Sequence, residues 1–579
     1  MISGTTCDTR RPRPVASKGD DLNTTPPPLH AETALGRDLE PCFDADLSRT
    51  RPARGRAAVA TANPLASWAA ARILHDGGSA VDAAIAAQMV LTLVEPNASG
   101  LGGGAMLLIH DGTTITAIDG LSAAPAYVPE RLETDFDGRI IPADRATSGG
   151  RTAGIPGALR ALDDAHRRFG RLPWPALFAP AIELATDGFA LSPYVVRTLL
   201  EIPAMRDEPF ARALYCGGTD APLPAGTRLH NPGLARTLAA IATGGADAFY
   251  HGDLADHIAR AVQSDPFAGT ITRSDLAAYR AITREAPRFA LGALTVATAP
   301  LPAYGGIAAG QLVGLTQHLG LAAIGTDLSA DAIHLLAEAG RVAFADREPY
   351  ADPITSPIDV AHLLSPAYLA HRARHIHARR NDKIPAGHTD GLGGSMTSHI
   401  SIADAHGQVV AMTTTINQNF GARIEVGGFY LNNALTNFAT IPIRHGKRQP
   451  NAMAPGLRPR TSIGPCIVID PVGRPIAALG AGGGYRIIGY VANALLRLAG
   501  GMTDPQAIVA APHAMNWSGM TELEPAFATH VPALVARGHW TTVRRLDGGT
   551  QLILRHDETW HAGADPRRDG LGIALTESQ

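Results

Sequence analysis

The sequence has little cysteine, almost no net charge and no long apolar run at its N-terminus, although it spans 579 residues. Its four cysteines, Cys7, Cys42, Cys216 and Cys466, lie far apart and form no CxxC pair. This spacing argues against a disulfide framework and against a zinc site. Because 50 Lys and Arg face 53 Asp and Glu, no global field recruits nucleic acid or an anionic membrane. We therefore expect a small-molecule partner, and nothing demands a metal or organic cofactor.

The N-terminal region differs in composition from the rest of the chain. Residues 1–30 lack the continuous apolar stretch of a secretory signal or a membrane anchor, so we expect a cytoplasmic protein. Residues 1–56 are rich in Pro, Arg and Asp, which predicts a mostly disordered tail. The remaining chain can bury a large core, since 45% of all residues are hydrophobic.

Two helices are predicted directly after the tail. The stretch "ANPLASWAAARILHDGG" ends at Gly77 and Gly78, and "SAVDAAIAAQMVLTLVEP" begins with Ser79 as its N-cap. The second helix is apolar on nearly all sides, which predicts that it packs between other layers. Asp82 and Gln88 inside this helix argue against a membrane span.

Strands are predicted before and after a mainly helical middle region. A glycine-rich loop, "SGLGGG", precedes "AMLLIH" and "TTITAID", which an Asp-Gly turn joins into a hairpin. These glycines come before a strand and therefore do not match a dinucleotide-binding fingerprint. After residue 390 a second hairpin, "SHISIADAHGQVVAMTTTIN", and a strand in "GFYLNNALTNF" are predicted. The pattern indicates a layered α+β fold, helix over sheet over sheet over helix.

Three histidines are candidate functional groups. His371 and His375 lie one helical turn apart in "AYLAHRARHIHARR", a spacing that can hold a metal ion. Arginines crowd this segment and no carboxylate supports it, so a solvated basic surface is the favoured interpretation. His399 faces a predicted sheet, where a single histidine is more often structural, and we assign it no catalytic role.

Thr397 follows a loop of small residues and opens the strand "TSHISIADA". A threonine hydroxyl is a poor nucleophile and needs a nearby base, which its own α-amine supplies when the threonine is the first residue of its chain. An α-amine has a pKa near ~8, so a useful fraction is neutral at physiological pH. An interior threonine acquires such an amine only if the chain is cleaved in front of it.

The run that begins at Thr397 resembles the autoprocessing site of the gamma-glutamyltransferases, which are N-terminal-nucleophile hydrolases. Further blocks resemble that family between residue 57 and the C-terminus, among them "DGGSAVDAAIAAQMVLTLVEPNASGLGGGAML", "ITRSDLAAYRA", "AFADREPYADP", "RPRTSIGP" and "GAGGGYRI". The resemblance implies an αββα sandwich and a proenzyme cut between Met396 and Thr397. The expected products are a large subunit, residues 57–396, and a small catalytic subunit, residues 397–579, held together as a heterodimer or a higher oligomer.

The resemblance also implies roles for individual residues. Thr397 matches the family's nucleophile, Thr415 matches the threonine that holds it, and Asn417 matches an asparagine near the substrate. Gly483 and Gly484 match the pair whose backbone N–H groups form the oxyanion hole. Each such donor is worth ~3 to 4 kcal/mol of transition-state stabilisation.

The predicted substrate pocket departs from the family's pattern. Leu121 stands where these enzymes carry an arginine that binds the α-carboxylate of glutamate. Asn437 and Ala434 replace the Asp and the Glu or Gln that hold the α-ammonium group, whereas Thr461 and Ser462 keep hydroxyls at the family's serine pair. Two missing charged anchors remove ~3 to 6 kcal/mol, or about two to four powers of ten in affinity for a γ-glutamyl group.

We therefore predict a hydrolase whose pocket accepts an acyl group other than glutamate, unless Arg460 replaces the lost cation. The family includes cephalosporin acylases, an oxamate amidohydrolase and homologues in lincomycin-type pathways to 4-alkyl-proline, which are implicated in carbon–carbon bond cleavage. Loss of the glutamate anchors favours the antibiotic-pathway relatives, with hydrolysis of an amide or a carbon–carbon bond. Two alternatives stay open: a true gamma-glutamyltransferase that hydrolyses glutathione, and a non-catalytic binding protein that is not processed.

Overall fold

A computed structural model of the chain describes residues 53–129, 131–132, 134, 139–141, 146–381, 383–384, 397–517 and 519–576. The predicted tail, residues 1–56, lies outside this part of the chain except for its last residues, of which Ala53–Gly55 form a strand. Met396, the residue before the predicted cleavage point, also lies outside the described residues.

The helices of the described chain are distributed over its whole length. In order they are α1 (Pro64–His75), α2 (Ala80–Val94), α3 (Ala158–Phe169), α4 (Ala179–Asp187), α5 (Pro193–Glu201), α6 (Pro209–Tyr215), α7 (Pro232–Gly244), α8 (Asp247–Tyr250), α9 (Asp253–Ser264), α10 (Arg273–Ala278), α11 (Gly305–His318), α12 (Ala330–Ala345), α13 (Val360–Leu363), α14 (Pro366–Ala373), α15 (Ile487–Ala499), α16 (Pro505–Ala510) and α17 (Val531–Ala536). None of these helices combines the length and the apolar character that a membrane crossing needs.

The strands are spread along the chain, with a long stretch between Thr298 and Ser398 in which the described residues form none. They are β1 (Ala53–Gly55), β2 (Ala57–Thr61), β3 (Gly104–His110), β4 (Ile115–Gly120), β5 (Phe189–Ala190), β6 (Arg228–Leu229), β7 (Ile282–Arg284), β8 (Arg288–Leu291), β9 (Leu294–Thr298), β10 (Ser398–Ala403), β11 (Val409–Thr415), β12 (Glu425–Val426), β13 (Phe429–Tyr430), β14 (Ile443–Arg444), β15 (Lys447–Arg448), β16 (Cys466–Ile469), β17 (Pro475–Gly480), β18 (Ala514–Asn516), β19 (Met520–Leu523), β20 (Trp540–Val543), β21 (Gln551–His556), β22 (Thr559–Ala564) and β23 (Leu571–Leu575).

Two seven-stranded antiparallel sheets form the centre of the fold. The first, here the front sheet, has the order β23-β2-β10-β11-β3-β4-β7. The second, the back sheet, has the order β1-β22-β21-β17-β16-β9-β8. Each sheet combines strands from before and after residue 397, so neither is complete without both parts of the chain.

Helices cover the outer face of each sheet. Helices α1 to α3 pack on the front sheet, and α11, α15 and α16 pack on the back sheet. The space between the sheets is filled mainly by small apolar side chains, among them Ala58, Ala60, Ala117, Ala411, Ala478 and Ala562. Small residues let the two sheets approach closely, and the four layers confirm the predicted αββα sandwich.

The sequence signals at the first two helices produce the expected caps. The Asn63 side chain accepts from the Leu65 N–H at 3.0 Å, at the start of α1. Ser79 and Asp82 form a capping box at the start of α2, with side-chain to backbone distances of 3.1 and 2.9 Å. Every residue of α2 is buried, as predicted from a sequence that is apolar on nearly all sides.

The predicted strand in "GFYLNNALTNF" is wrong for most of its length. Only Phe429–Tyr430 is extended, and a 3₁₀ turn follows at Ala434–Asn437. The Asn432 carboxamide oxygen accepts from the Ala434 N–H at 2.9 Å. Such local side-chain bonds compete with the ladder of a strand and favour a turn.

Candidate active site

Thr397 directly precedes β10, a central strand of the front sheet, and is 1% exposed. Side chains alternate along a strand, and two of the odd-numbered ones on β10 contact the back sheet. The His399 ring lies against Gly480 of β17, and the Ser401 hydroxyl donates to the Gln551 carbonyl of β21. The alternation therefore directs Thr397 towards the end of β17, between the two sheets.

The Thr397 hydroxyl lies beside the Thr415 hydroxyl. Ser398 pairs with Thr414 in the β10–β11 ladder, so Thr415 comes opposite Thr397 at the strand end. The two Oγ1 atoms are 3.5 Å apart, a long contact for a hydroxyl pair. The Thr415 Oγ1 accepts from the Asn417 N–H at 2.7 Å, which fixes the position of this oxygen. The structure brings together Thr397 and Thr415, the predicted nucleophile and its predicted partner.

Asn417 connects this pair to the turn that carries Asn437. Its φ of 77° is left-handed, a conformation that asparagine tolerates better than most residues. The Asn417 Nδ2 lies within 3.0 to 3.1 Å of the Asn433 carbonyl and carboxamide oxygens and of the Thr436 hydroxyl. Asn437 ends the same 3₁₀ turn, so the predicted substrate residues Asn417 and Asn437 share one hydrogen-bonded unit.

A glycine turn after β17 meets the backbone of Thr397. At Gly482 a Cβ would lie 2.0 Å from the Thr397 carbonyl oxygen, so any side chain there would displace Thr397. Gly483 and Gly484 have φ values of 123° and 62°, which favour glycine. Neither backbone N–H of this pair donates a hydrogen bond within the described part of the chain. Two donors therefore remain for an external oxyanion.

Buried polar groups hold the peptide that follows Thr397. The Arg568 Nη1 donates to the Thr397 carbonyl at 2.6 Å, and the Ser398 hydroxyl donates to the Glu95 Oε2 at 2.5 Å. The Ser99 hydroxyl donates to Ser398 at 3.1 Å. Burial raises the pKa of Glu95 to about 7, an effect that Arg568 and Ser398 partly offset. Sequence reasoning missed this cluster, although a glutamate directly after a wholly apolar helix was a visible signal.

His399 is a structural residue, as expected. Its ring nitrogens lie 2.8 Å from the Thr413 hydroxyl and 3.0 Å from the Ser401 hydroxyl, and the side chain is fully buried between the sheets. Burial lowers the pKa of His399 to about 3. The imidazole is therefore neutral at physiological pH, and both of its ring nitrogens are engaged by the Thr413 and Ser401 hydroxyls.

Leu121 is buried where the family pattern has an arginine. It follows β4, is 4% exposed, and belongs to the same apolar cluster as Ala303, Ile463 and Ala481. Its carbonyl accepts from the Tyr279 hydroxyl at 2.6 Å, which fixes the backbone at this position. An apolar side chain thus occupies the place of the expected carboxylate anchor.

Thr461 and Ser462 lie beside the start of α11. The Thr461 N–H donates to the Pro302 carbonyl at 2.9 Å, and the Thr461 carbonyl accepts from Tyr304 at 2.8 Å. Neighbouring Arg460 is 8% exposed, and its Nη1 lies 3.4 Å from the carbonyls of Arg347 and Glu348. The guanidinium of Arg460 therefore donates to backbone carbonyls that follow α12.

An aromatic cluster adjoins the glycine turn. Tyr485 follows Gly484 directly, and its ring centroid lies 5.2 Å from that of Trp517 and 5.3 Å from that of Phe344. The Arg347 guanidinium lies over the Phe344 ring at 3.9 Å. Tyr485 and Trp517 are partly exposed, so they offer ring surface beside Gly483 and Gly484, the predicted oxyanion donors. The sequence analysis missed this cluster, because three distant segments contribute its rings.

The predicted histidine pair lies on the protein surface. His371 and His375 are both exposed, with ring centroids 6.4 Å apart. Within the residues that the structure describes, no group of three or more His, Cys, Asp or Glu side chains is placed to hold a metal ion. The favoured interpretation, a solvated basic surface, agrees with this exposure.

Comparison with known proteins gives extensive matches. The family model described as gamma-glutamyltranspeptidase matches residues 66–575. Acylase ACY 1 proenzyme from Pseudomonas sp. (strain SE83) is 35% identical over 543 residues, which cover 91% of this chain and 95% of the relative. Glutathione hydrolase proenzyme from Pseudomonas aeruginosa is 36% identical over 442 residues, which cover 74% of this chain and 77% of the relative.

A solved structure supports the same assignment. Cephalosporin acylase from Bacillus halodurans superposes with a TM-score of 0.78 at 25% identity, covering 91% of this chain and 97% of that chain. The matched range, residues 66–575, contains β10, Thr415 and the glycine turn after β17. The curated relatives are enzymes made as proenzymes, which confirms the resemblance seen in the sequence. This chain therefore belongs to the gamma-glutamyltranspeptidase family.

Proposed function

We propose that the chain is a self-processing hydrolase whose nucleophile is Thr397, made as a precursor and cut before that residue into a heterodimer. The observation that carries this proposal is that Thr415 and the glycine turn after β17 both contact one buried residue, Thr397. The Thr415 hydroxyl lies 3.5 Å from Thr397 Oγ1, and the Gly482 turn packs on the Thr397 carbonyl. The proenzyme names of the acylase and glutathione hydrolase relatives support the cleavage step.

In the proposed reaction, the α-amine of Thr397 takes the hydroxyl proton while Oγ1 attacks a carbonyl carbon. The N–H groups of Gly483 and Gly484 stabilise the oxyanion. The bond between the carbonyl carbon and the leaving group then breaks, and the leaving group receives the proton from the amine. Water attacks the resulting ester along the same path and restores the free hydroxyl of Thr397.

The acyl group that fits this site is not a γ-glutamyl group. Leu121 supplies apolar surface in place of a cation, and Ala434 and Asn437 supply no negative charge for an α-ammonium group. The partly exposed rings of Tyr485 and Trp517 add a flat apolar wall beside the oxyanion donors. These features support an acyl group that is uncharged near the carbonyl and carries a planar or apolar portion.

Amide hydrolysis is the form of the reaction that the acylase relatives favour. Cleavage of a carbon–carbon bond, as in the lincomycin-type members of the family, is the second candidate. The same attack applies when a neighbouring unsaturated system stabilises the departing carbon, which then takes the proton from the amine. The loss of the glutamate anchors at Leu121 and Asn437 supports both forms, and both fit a role in secondary-metabolite (antibiotic) biosynthesis.

Three p-nitroanilides test the proposal, because the number of charges on the acyl group falls stepwise among them and the uncharged one carries a planar ring. γ-Glutamyl-p-nitroanilide carries both charges, glutaryl-p-nitroanilide lacks the ammonium group, and phenylacetyl-p-nitroanilide lacks both. We expect kcat/KM to be at least ~100-fold higher for the phenylacetyl than for the γ-glutamyl compound, since two unmatched charges oppose binding of the latter. Thr397→Ala serves as the control and should release no nitroaniline.

The other outcomes identify the alternatives. Fast release from the γ-glutamyl compound would identify a true gamma-glutamyltransferase and overturn the pocket assignment. A single uncut chain that releases nothing would identify a binding protein. Processing without cleavage of any of the three amides would favour the carbon–carbon candidate, which a metabolite screen of wild type against Thr397→Ala then addresses.

A further inference from the structure

Glu95 is a buried carboxylate that the proposed reaction does not use. It lies at the C-terminal end of α2, where its N–H donates to the Leu91 carbonyl, and it is 1% exposed. Its Oε2 accepts from the Ser398 hydroxyl at 2.5 Å, whereas its Oε1 has no hydrogen-bond partner within the described residues. Burial and the negative end of the helix dipole both disfavour a charge at this position. A carboxyl group that is buried despite these free-energy costs is a candidate for a functional role.

The groups that face Glu95 come from three other elements. Arg568 and Asp569 follow β22, Tyr194 lies at the start of α5, and Ser398 lies on β10. Arg568 is buried and is the cation of this set. It also faces Asp547 and Asp565, so it is shared among several carboxylates. Glu95 therefore titrates in an environment with one nearby cation and more than one competing anion.

Glu95 and Arg568 act on the same peptide group from two sides. The Thr397 carbonyl and the Ser398 nitrogen belong to one planar unit. Arg568 holds the carbonyl at 2.6 Å, and Glu95 holds the Ser398 side chain at 2.5 Å. The direction of this peptide fixes where the Thr397 side chain and its amine point. Both contacts lie within one residue of the nucleophile and neither touches Thr415.

We propose that Glu95 is a positioning residue for the nucleophile, which in its charged form holds Ser398 and so keeps Thr397 aligned for attack. This inference rests on the proposed function of Thr397. A charged acceptor makes a hydrogen bond roughly twice as strong as a neutral one, so protonation of Glu95 weakens the hold on Ser398. Cleavage before Thr397 would also create an amine on the residue that directly precedes Ser398, the residue that Glu95 holds.

The proposal has a consequence for the dependence of activity on pH. The α-amine of Thr397 must be neutral, and such amines have a pKa near ~8. Burial raises the pKa of Glu95 to about 7. Full activity therefore requires that Glu95, as well as the amine, has lost its proton. Between about pH 6 and 5 both groups are mostly protonated, and log(kcat/KM) for phenylacetyl-p-nitroanilide should fall with a slope close to two.

The variant Glu95→Gln tests this directly, because it keeps the shape and an acceptor oxygen but cannot ionise. We expect its plateau kcat/KM to fall at least ~100-fold, as misplacement of a reacting group by about 1 Å does, and its acidic limb to have a slope of one. Ser398→Ala, which breaks the link but keeps the carboxyl, should also show a slope of one, and it provides the test if Glu95→Gln does not fold. An unchanged slope of two in both variants would overturn the inference.

Two further variants separate this inference from its premise. Glu338→Gln removes a buried carboxylate of α12, paired with Arg341 at 2.7 Å, and controls for general destabilisation. It should keep the slope of two. Thr397→Ala tests the proposed function itself: if that variant remains active, the premise fails, whereas a dead Thr397→Ala with wild-type pH behaviour in Glu95→Gln contradicts the role of Glu95 alone.

Discussion

At the scale of single residues, the site depends on a close approach between two backbones. A Cβ on residue 482 would lie 2.0 Å from the Thr397 carbonyl oxygen and 2.7 Å from the Arg568 guanidinium. Gly482→Ala should therefore displace the nucleophile and lower both processing and kcat/KM by at least ~100-fold, as misplacement by about 1 Å does. A denaturing gel and the nitroanilide assay measure the two effects.

A matched glycine provides the control for that substitution. Gly325 has open space around its Cβ position and no positive φ, so Gly325→Ala should be processed and active like the wild type. Processing of Gly482→Ala at the wild-type rate would contradict the packing described around Thr397.

His399 makes a second prediction at this scale, on stability. Its folded pKa of about 3 lies below the ordinary value of 6.5, so the folded state binds fewer protons than the unfolded state between these values. Stability is thus lost as the pH falls below 6.5. Between pH 7 and 4.5 this single group should lower the free energy of unfolding by about 3 kcal/mol.

Comparison with His399→Gln isolates this contribution. Urea unfolding at pH 7 and at pH 4.5 gives the stability difference between wild type and variant at each pH. Lowering the pH from 7 to 4.5 should destabilise the wild type by about 3 kcal/mol more than the variant, because glutamine does not titrate. A difference that stays constant with pH would show that His399 is not held neutral by burial.

At the scale of elements, α2 begins with a carboxylate that serves two segments. Asp82 Oδ2 accepts from Ser79 and also from the N–H groups of Arg171 and Leu172, at 2.8 to 3.0 Å. Loss of the cap in Ser79→Ala should cost about 1 kcal/mol. Asp82→Ala leaves buried N–H groups in both segments without an acceptor and should lower the free energy of unfolding by about 3 kcal/mol.

Urea unfolding in a Thr397→Ala background measures these two losses on an uncut chain, which keeps the transition simpler. Equal effects of Ser79→Ala and Asp82→Ala would mean that Asp82 acts only as part of the cap.

Local patterns predicted the elements better than they predicted the site. The caps at Ser79 and Asn63 and the β10–β11 hairpin follow from short-range signals, and the family resemblance located Thr397, Thr415 and the glycine turn. The Glu95–Ser398 contact joins residues 303 positions apart, so no local pattern contains it. The strand predicted after residue 427 failed because the Asn432 side chain competes for the backbone.

At the scale of the whole molecule, the proposed cut falls between parts that share both sheets. In the front sheet, β10 pairs with β2, and β11 pairs with β3. In the back sheet, β16 pairs with β9, and β1 pairs with β22. Separating the proposed subunits would expose these strand edges and the apolar layer between the sheets. Both pieces should therefore remain one particle after cleavage.

The most direct test of this account is N-terminal sequencing and mass measurement of the active enzyme after size-exclusion chromatography. We predict one native particle that separates into two chains only in denaturant, with the smaller chain beginning Thr-Ser-His at residue 397. Thr397→Ala should elute as a single uncut chain without activity. Active wild-type enzyme that consists of the intact chain, or that begins its smaller piece at another residue, would contradict Thr397 as the nucleophile.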